Sequence, residues 1–394
     1  MTKGFQSIEI DDKYGKINPR ILKILGLVII GIFLRYIVMA FGYNYDFESY
    51  TIVGEISGNL RNVYTETSRY NYAPLFMFIQ GILYRLSLCA GTNQILMYRV
   101  LIVTTLTLTD ICIAAFISYR YSITKALLFF LNPVSIIITG YHSQFDNIAV
   151  LFALLSITFF NEENNINKKD IAFVAVMSFS LITKHILFIF PVFILLMRKI
   201  PLKKKCLYSL VPPISFLLSF VPFALGNEAA FQGIMNNVFL YRSFNNAPLL
   251  NLLYELTDFP SSMRFIIYVA MMLALACFVR NMPYDRILFT YLIALVSFSS
   301  AMTNQYLAIP MAALCVLDIT PLCAIYMVMM GVFLILHGDG LNFITNIYMS
   351  YGEENLLTRI ATFYVISGYT VAAWILFATV VLLVLRNSSL TNEK

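Results

Sequence analysis

The feature that most limits what this chain can become is the apolar run at residues 21–41, which has Lys23 in its first turn and carries one charge in its interior, Arg35. About twenty such residues in a helix cross a hydrocarbon core of roughly 30 Å, and only helices and closed barrels satisfy their own backbone there. Similar runs recur along the chain. Hydrophobic residues make up 59% of the 394 and charged ones only 12%, with a mean hydropathy of +0.77. So few charges cannot coat a water-soluble globule of this length. The expected fold is all-α: a polytopic membrane protein forming a single integral membrane domain over residues 1–394.

Charge placement orients it. Lys3, Lys13, Lys16 and Arg20 lie in a polar N-terminus, residues 1–20, and Arg198, Lys199, Lys203, Lys204 and Lys205 form a second basic cluster. Both belong in the cytoplasm by the positive-inside tendency, so an even number of crossings separates them. The runs at 21–41, 96–119, 123–140, 147–160, 171–183 and 185–197 meet that requirement. Residues 73–90, which open on Pro74 and contain Arg85, are then expected as a helix on the outer surface. Runs at 206–225, 263–279, 287–302, 306–317, 321–337 and 360–385 bring the total to about twelve crossings and return 386–394 to the cytoplasm. Three outer segments follow: 42–95, 226–262 and 338–359. The six cysteines show no metal-ligand or disulfide spacing.

Several outer residues carry chemistry. Asp46 and Glu48 sit just past the first crossing, where a carboxylate is either solvated and inert or held as a base. His142-Ser143-Gln144-Phe145-Asp146-Asn147 is a turn that Asp146 can cap, and its donors and acceptors also suit a sugar or a phosphate. Lys184 and His185 fall between two short apolar runs, where the lysine either snorkels to the interface or awaits an anionic headgroup. Arg242 is either a solvated loop charge or a bidentate phosphate clamp. Arg99 and Asp110 share one helix face, and Asp110 is expected to pair with another helix.

These residues carry a resemblance. Asp46-Phe47-Glu48 followed by Glu55-Ile56 resembles the first outer loop of the lipid-linked glucosyltransferases that extend the N-glycan precursor, members of the GT-C superfamily. Tyr72-Ala73-Pro74-Leu75 is similar to that family's Tyr-Pro-Pro-Leu, and His142-x-Gln144-Phe145-Asp146-Asn147 to its His-Phe-Gln-Tyr-Asn. Lys184-His185-Ile186 and Arg242 with Ala247-Pro248 resemble further family segments, in the same order. The family's later His-x-His-Glu-Lys is absent. Thr303-Asn304-Gln305-Tyr306-Leu307 instead resembles a segment of GPI mannosyltransferases.

The resemblance implies a GT-C-like hexosyltransferase. It would take glucose or mannose from a polyprenyl-phosphate donor to a lipid-linked glycan or other cell-surface acceptor at the outer or lumenal face. Asp46 matches the catalytic base; Glu48, His142, Gln144, Asp146, Lys184, His185 and Arg242 would bind substrate. No cofactor or metal is implied, and the partners are the two substrates and the lipid bilayer, with no nucleic acid. The compact chain favours a bacterial plasma membrane, with the endoplasmic reticulum membrane as the alternative. A transporter or flippase of a lipid-linked saccharide, or a polysaccharide polymerase, is the competing class.

Overall fold

A computed structural model describes residues 19–241, 247–249, 263–317, 319–337 and 356–392, and among these the chain is helical with no strand. Its first half runs α1 (Pro19–Ala40), α2 (Tyr45–Gly58), α3 (Val63–Glu66), α4 (Pro74–Ser87) and α5 (Gln94–Arg120). Then come α6 (Ile123–Phe130), α7 (Pro133–Gly140), α8 (Asp146–Phe159), α9 (Lys168–Thr183) and α10 (Phe190–Leu196). The second half holds α11 (Leu202–Leu218), α12 (Val221–Ala224), α13 (Glu228–Ile234), α14 (Arg264–Val279) and α15 (Tyr284–Ser297). It ends with α16 (Met311–Val316), α17 (Thr320–Leu336) and α18 (Leu356–Asn392).

Local chemistry sets the breaks. Pro133 has no N–H to continue a helix, and the Asn132 side chain caps the new one by accepting from the Ser135 N–H at 2.7 Å, so α6 and α7 meet at 48°. The apolar pair α9 and α10 is bent much further, by 113°, where Lys184 takes an extended backbone (φ −155°, ψ 134°). A break at that depth strands carbonyls, and Tyr291 meets one by donating to the Ile186 carbonyl at 2.7 Å. Because α10 has only seven residues, roughly 10 Å, 185–197 is no crossing of its own, as hydropathy alone suggested.

Among the described residues, four stretches are long and apolar enough to cross a membrane: Ile21–Ala40, Pro74–Arg120, Leu202–Ala224 and Ser367–Asn387. The number rises to six if each bent pair counts as one span. Asp146–Phe159, Arg264–Val279, Asn304–Val316 and Thr320–Leu336 are apolar helices of 10–17 residues. Hydropathy therefore marks where apolar chain lies, while the bends decide how much of it is a straight crossing. Residues 73–90 form α4, whose 14 residues span roughly 21 Å, short of a crossing alone; it lies against α2, and a kink at Gly91 (φ 56°) joins it to α5.

One buried polar knot ties the first half together. Arg35 on α1 donates through Nε and Nη2 to Asp110 Oδ2 on α5, at 3.1 and 2.9 Å, and neither side chain is exposed. Ser135 (3.2 Å) and Thr139 (2.7 Å) of α7 donate to the same oxygen, and Asn147 of α8 to Oδ1 at 2.6 Å. Taking two charges out of water costs several kcal/mol each, repaid only when the pair is well oriented and further hydrogen-bonded, as here on both carboxylate oxygens. Close helix approach makes the knot fit. A Cβ at Gly140 would collide with the Arg35 carbonyl, so α1 and α7 pack closely only with glycine there. Asp110 thus pairs with Arg35 of another helix, while Arg99 sits over the rings of Tyr43 and Phe47.

A second buried pair lies at α9 and α11. Lys204 Nζ meets Asp170 Oδ1 at 2.7 Å with both side chains fully covered, so one member of the basic cluster at 198–205 is a packed charge rather than a solvated one.

Candidate active site

The site grows from the start of α2. Asn44 takes the N-cap conformation, but its side chain makes no cap bond and turns to donate to Asp46 Oδ2 at 3.2 Å. Successive helix residues rotate by about 100°, so Asp46 and Tyr50, four apart, share a face, while Glu48 projects the other way. Glu48 is accordingly half out in solvent, with Arg69 at 3.7 Å. Asp46 instead meets Gln144, whose Nε2 donates to Oδ2 at 2.5 Å, and Tyr50 donates its hydroxyl to Gln144 Oε1 at 3.0 Å.

The direction of that relay is forced. An ionised carboxylate only accepts, so Gln144 presents its NH2 to Asp46 and its carbonyl to Tyr50, which must donate. Burial, reinforced by the Asp46 carboxylate, holds the Tyr50 phenol well above the usual tyrosine range and keeps it protonated for this role.

Gln144 arrives from the turn between α7 and α8, where Ser143 adopts a left-handed φ of 53°. The same turn was expected to cap α8 through Asp146. The cap position is Phe145, without a side-chain bond, and Asp146 is the first helical residue. Its carboxylate accepts from Lys184 Nζ at 2.7 Å instead, in an ion pair whose side chains are 1% and 4% exposed. The ammonium also lies over the rings of Tyr72 (4.9 Å) and Phe145 (4.8 Å), which meet edge to face. Phe145 stacks on Phe76 at 3.7 Å, so the shelf under the lysine is anchored to α4. The Tyr72 phenol is raised by burial and by Asp46.

Asp46, Lys184 and His185 line one cavity of about 1020 Å³. His185 is exposed to it and stacks on Tyr72 at 6.2 Å. Of the other residues expected to face substrate, Gln144 and Asp146 stand behind the wall, holding Asp46 and Lys184. His142 is also behind it: its ring is fully buried, and burial pushes the imidazole down to about 3, so it is neutral. Neither ring nitrogen has a hydrogen-bond partner among the described residues. Arg242 lies outside the described residues.

Three wall residues were not singled out from sequence: Arg69, Arg264 and Tyr72 as a ring platform. Arg69 was legible as one of three arginines in the first outer segment, with Arg61 and Arg85. It lies over the Tyr45 ring at 4.2 Å. One flank of the cavity, near α10, α11 and α14, is apolar, with Phe188, Phe216 and Phe265 among its residues. A carboxylate fixed by neutral donors, cations and an apolar flank, all lining one cavity, suit an amphiphilic anion. Comparison with protein families, with curated proteins and with solved structures finds no match.

Proposed function

We propose that the chain is an inverting membrane glycosyltransferase that moves a hexose, glucose or mannose, from a polyprenyl-phosphate donor to a lipid-linked or cell-surface acceptor. The observation that supports this best is the shared cavity: Asp46, oriented by Gln144, opens on the same space as Lys184, His185 and Arg69. In the reaction an acceptor hydroxyl attacks the anomeric carbon from the side opposite the phosphate. Its O–H proton passes to Asp46, the anomeric C–O bond to phosphate breaks, and polyprenyl phosphate leaves with the electron pair. Lys184 and Arg69 stabilise that growing negative charge. The apolar flank gives the prenyl chain a place beside the headgroup. The membrane in this reading is a bacterial plasma membrane, with the cavity on its outer side.

A transporter is the second reading, favoured by the two bent helix pairs, since broken helices with charged residues at the break are a transporter device. Incubating purified protein with polyprenyl-phosphate glucose and polyprenyl-phosphate mannose separates the two. A transferase consumes one donor in the presence of an acceptor extract, and Asp46→Asn stops turnover while donor still binds. A wild-type protein that consumes neither, yet moves a lipid-linked sugar across vesicles, sinks the transferase.

A further inference from the structure

Part of the cavity wall is polar but uncharged, a lobe that the transfer chemistry leaves unused. It is built on Ser299-Ser300-Ala301-Met302-Thr303-Asn304-Gln305-Tyr306, the link between α15 and α16, which contains no Asp, Glu, Lys or Arg. Ser300, Thr303, Asn304, Gln305 and Tyr306 all line the cavity. A polar link that breaks the α-helix between two apolar helices is tolerated at membrane depth only where protein or a water-filled space meets its groups.

The lobe is rigid where it must be. Its 3-10 turn, Asn304–Ala308, packs on α7 and α8, the helices flanking the turn that supplies Gln144. Asn304 is buried and its amide is set: Tyr369 donates its hydroxyl to Oδ1 at 2.7 Å, and Nδ2 faces His337 Nδ1 at 3.5 Å. Beside it the buried Thr303 hydroxyl has no hydrogen-bond partner among the described residues. Gln305 and Tyr306 are half-buried, and Tyr306 lies within electrostatic reach of Lys184 and Tyr72, which ties this lobe to the cationic one.

The two lobes differ in what they can recognise. Phosphate oxygens only accept, so they are met by charged donors such as Arg69, Lys184 and Arg264, which line the same cavity. Amides and hydroxyls both donate and accept, which is the pattern of a sugar hydroxyl, and phenol rings cover the apolar face of a pyranose. We infer that the link 299–306 is a carbohydrate subsite in which Thr303, Gln305 and Tyr306 hydrogen-bond the hydroxyls of a neutral hexose. This deepens the proposed function by naming where the sugar sits apart from its phosphate, and its test does not depend on transfer.

Full-length protein in a sugar-free detergent is titrated with methyl α-mannopyranoside and methyl β-glucopyranoside by saturation-transfer NMR, and with farnesyl phosphate by calorimetry. One of the glycosides binds the wild type. Gln305→Ala and Thr303→Ala each weaken it about tenfold while farnesyl phosphate binding stays within about twofold, the loss expected for one buried hydrogen bond. Thr303→Ser restores it, and Arg69→Ala does the reverse, weakening the phosphate alone. The subsite is overturned if neither glycoside binds, if both Ala variants bind it unchanged, or if farnesyl phosphate binding falls alongside. Displacement of the glycoside by farnesyl-phosphate mannose assigns the lobe to the donor's own sugar, and simultaneous binding assigns it to the acceptor's; both uphold the subsite. Glycoside binding in a protein that transfers no hexose keeps the subsite and removes only the transferase.

Discussion

Two carboxylates, Asp46 on α2 and Asp110 on α5, are treated in opposite ways. Asp110 accepts from Arg35, Ser135, Thr139 and Asn147 and sees no solvent. Asp46 accepts from two neutral amides, both on Oδ2, and borders a cavity. A fully met buried charge is a fastener, because any change of its proton or partner leaves uncompensated charge in a low-dielectric interior. A carboxylate fixed in direction but not saturated keeps the capacity to take a proton. The two are linked in sequence. Asn147, which serves Asp110, follows Asp146, which holds Lys184, so the fastener also positions the turn on which the cavity wall depends.

This contrast breaks or sharpens under substitution. The largest effect is expected at Asp46: Asp46→Asn lowers transfer by about 10²- to 10⁴-fold with donor affinity and unfolding temperature near wild type. The fastener behaves oppositely. Arg35→Ala leaves Asp110 buried and unpaired and costs about 3–5 kcal/mol in unfolding assays, whereas Arg35→Met with Asp110→Leu recovers most of it. An Arg35→Ala protein as stable as wild type would erase the distinction. Next comes the cavity cation: Lys184→Met combined with Asp146→Asn, which avoids stranding a charge, weakens farnesyl phosphate binding about tenfold or more, as one charge-assisted hydrogen bond requires. Tyr50→Phe is milder. It removes the donor that orients Gln144, and kcat drops by about 2- to 10-fold with KM unchanged, a net loss of about 0.5–1.5 kcal/mol.

The smallest effect is on pH. Tyr50, Tyr64, Tyr70 and Tyr72 are all raised, chiefly by burial, above the usual value of 10.0. Their raised folded values mean the native chain holds protons that the unfolded chain releases. The stability they contribute is complete below about pH 10 and declines as pH climbs toward the folded values. Phenolate absorbance that rises only together with unfolding is the expected signature, and early titration of the native protein would contradict it.

Much of this was legible in the sequence. Apolar runs fix an all-α, membrane-capable chain, and Asp46, Lys184 and His185 do share one cavity. Gln144 and Asp146 were recognisable as special from the crowding of polar groups in one turn, but their partners, Asp46 and Lys184, are set by packing between distant helices. His142 shows the limit from the other side: its ring is sealed in the wall, and nothing in the local residues says which members of a polar turn face inward. Hydropathy also measures apolar length and not direction, so it marks the break at the Lys184 corner but reads 171–183 and 185–197 as two crossings where the structure has one bent pair. Arg69 was missed because an isolated outer arginine looks the same whether it faces bulk water or a cavity.

That corner has a cost in side chains. Where α9 stops at Thr183, the freed carbonyl of Ile186 is answered by the Tyr291 hydroxyl, reaching across from α15. Each residue of hollow carved below the surface demands such a donor from a neighbouring helix, because lipid supplies none. The depth to which a site like this can sink is therefore rationed by the polar side chains its neighbours can lend, and Tyr291→Phe would force the hollow to grow shallower or admit water.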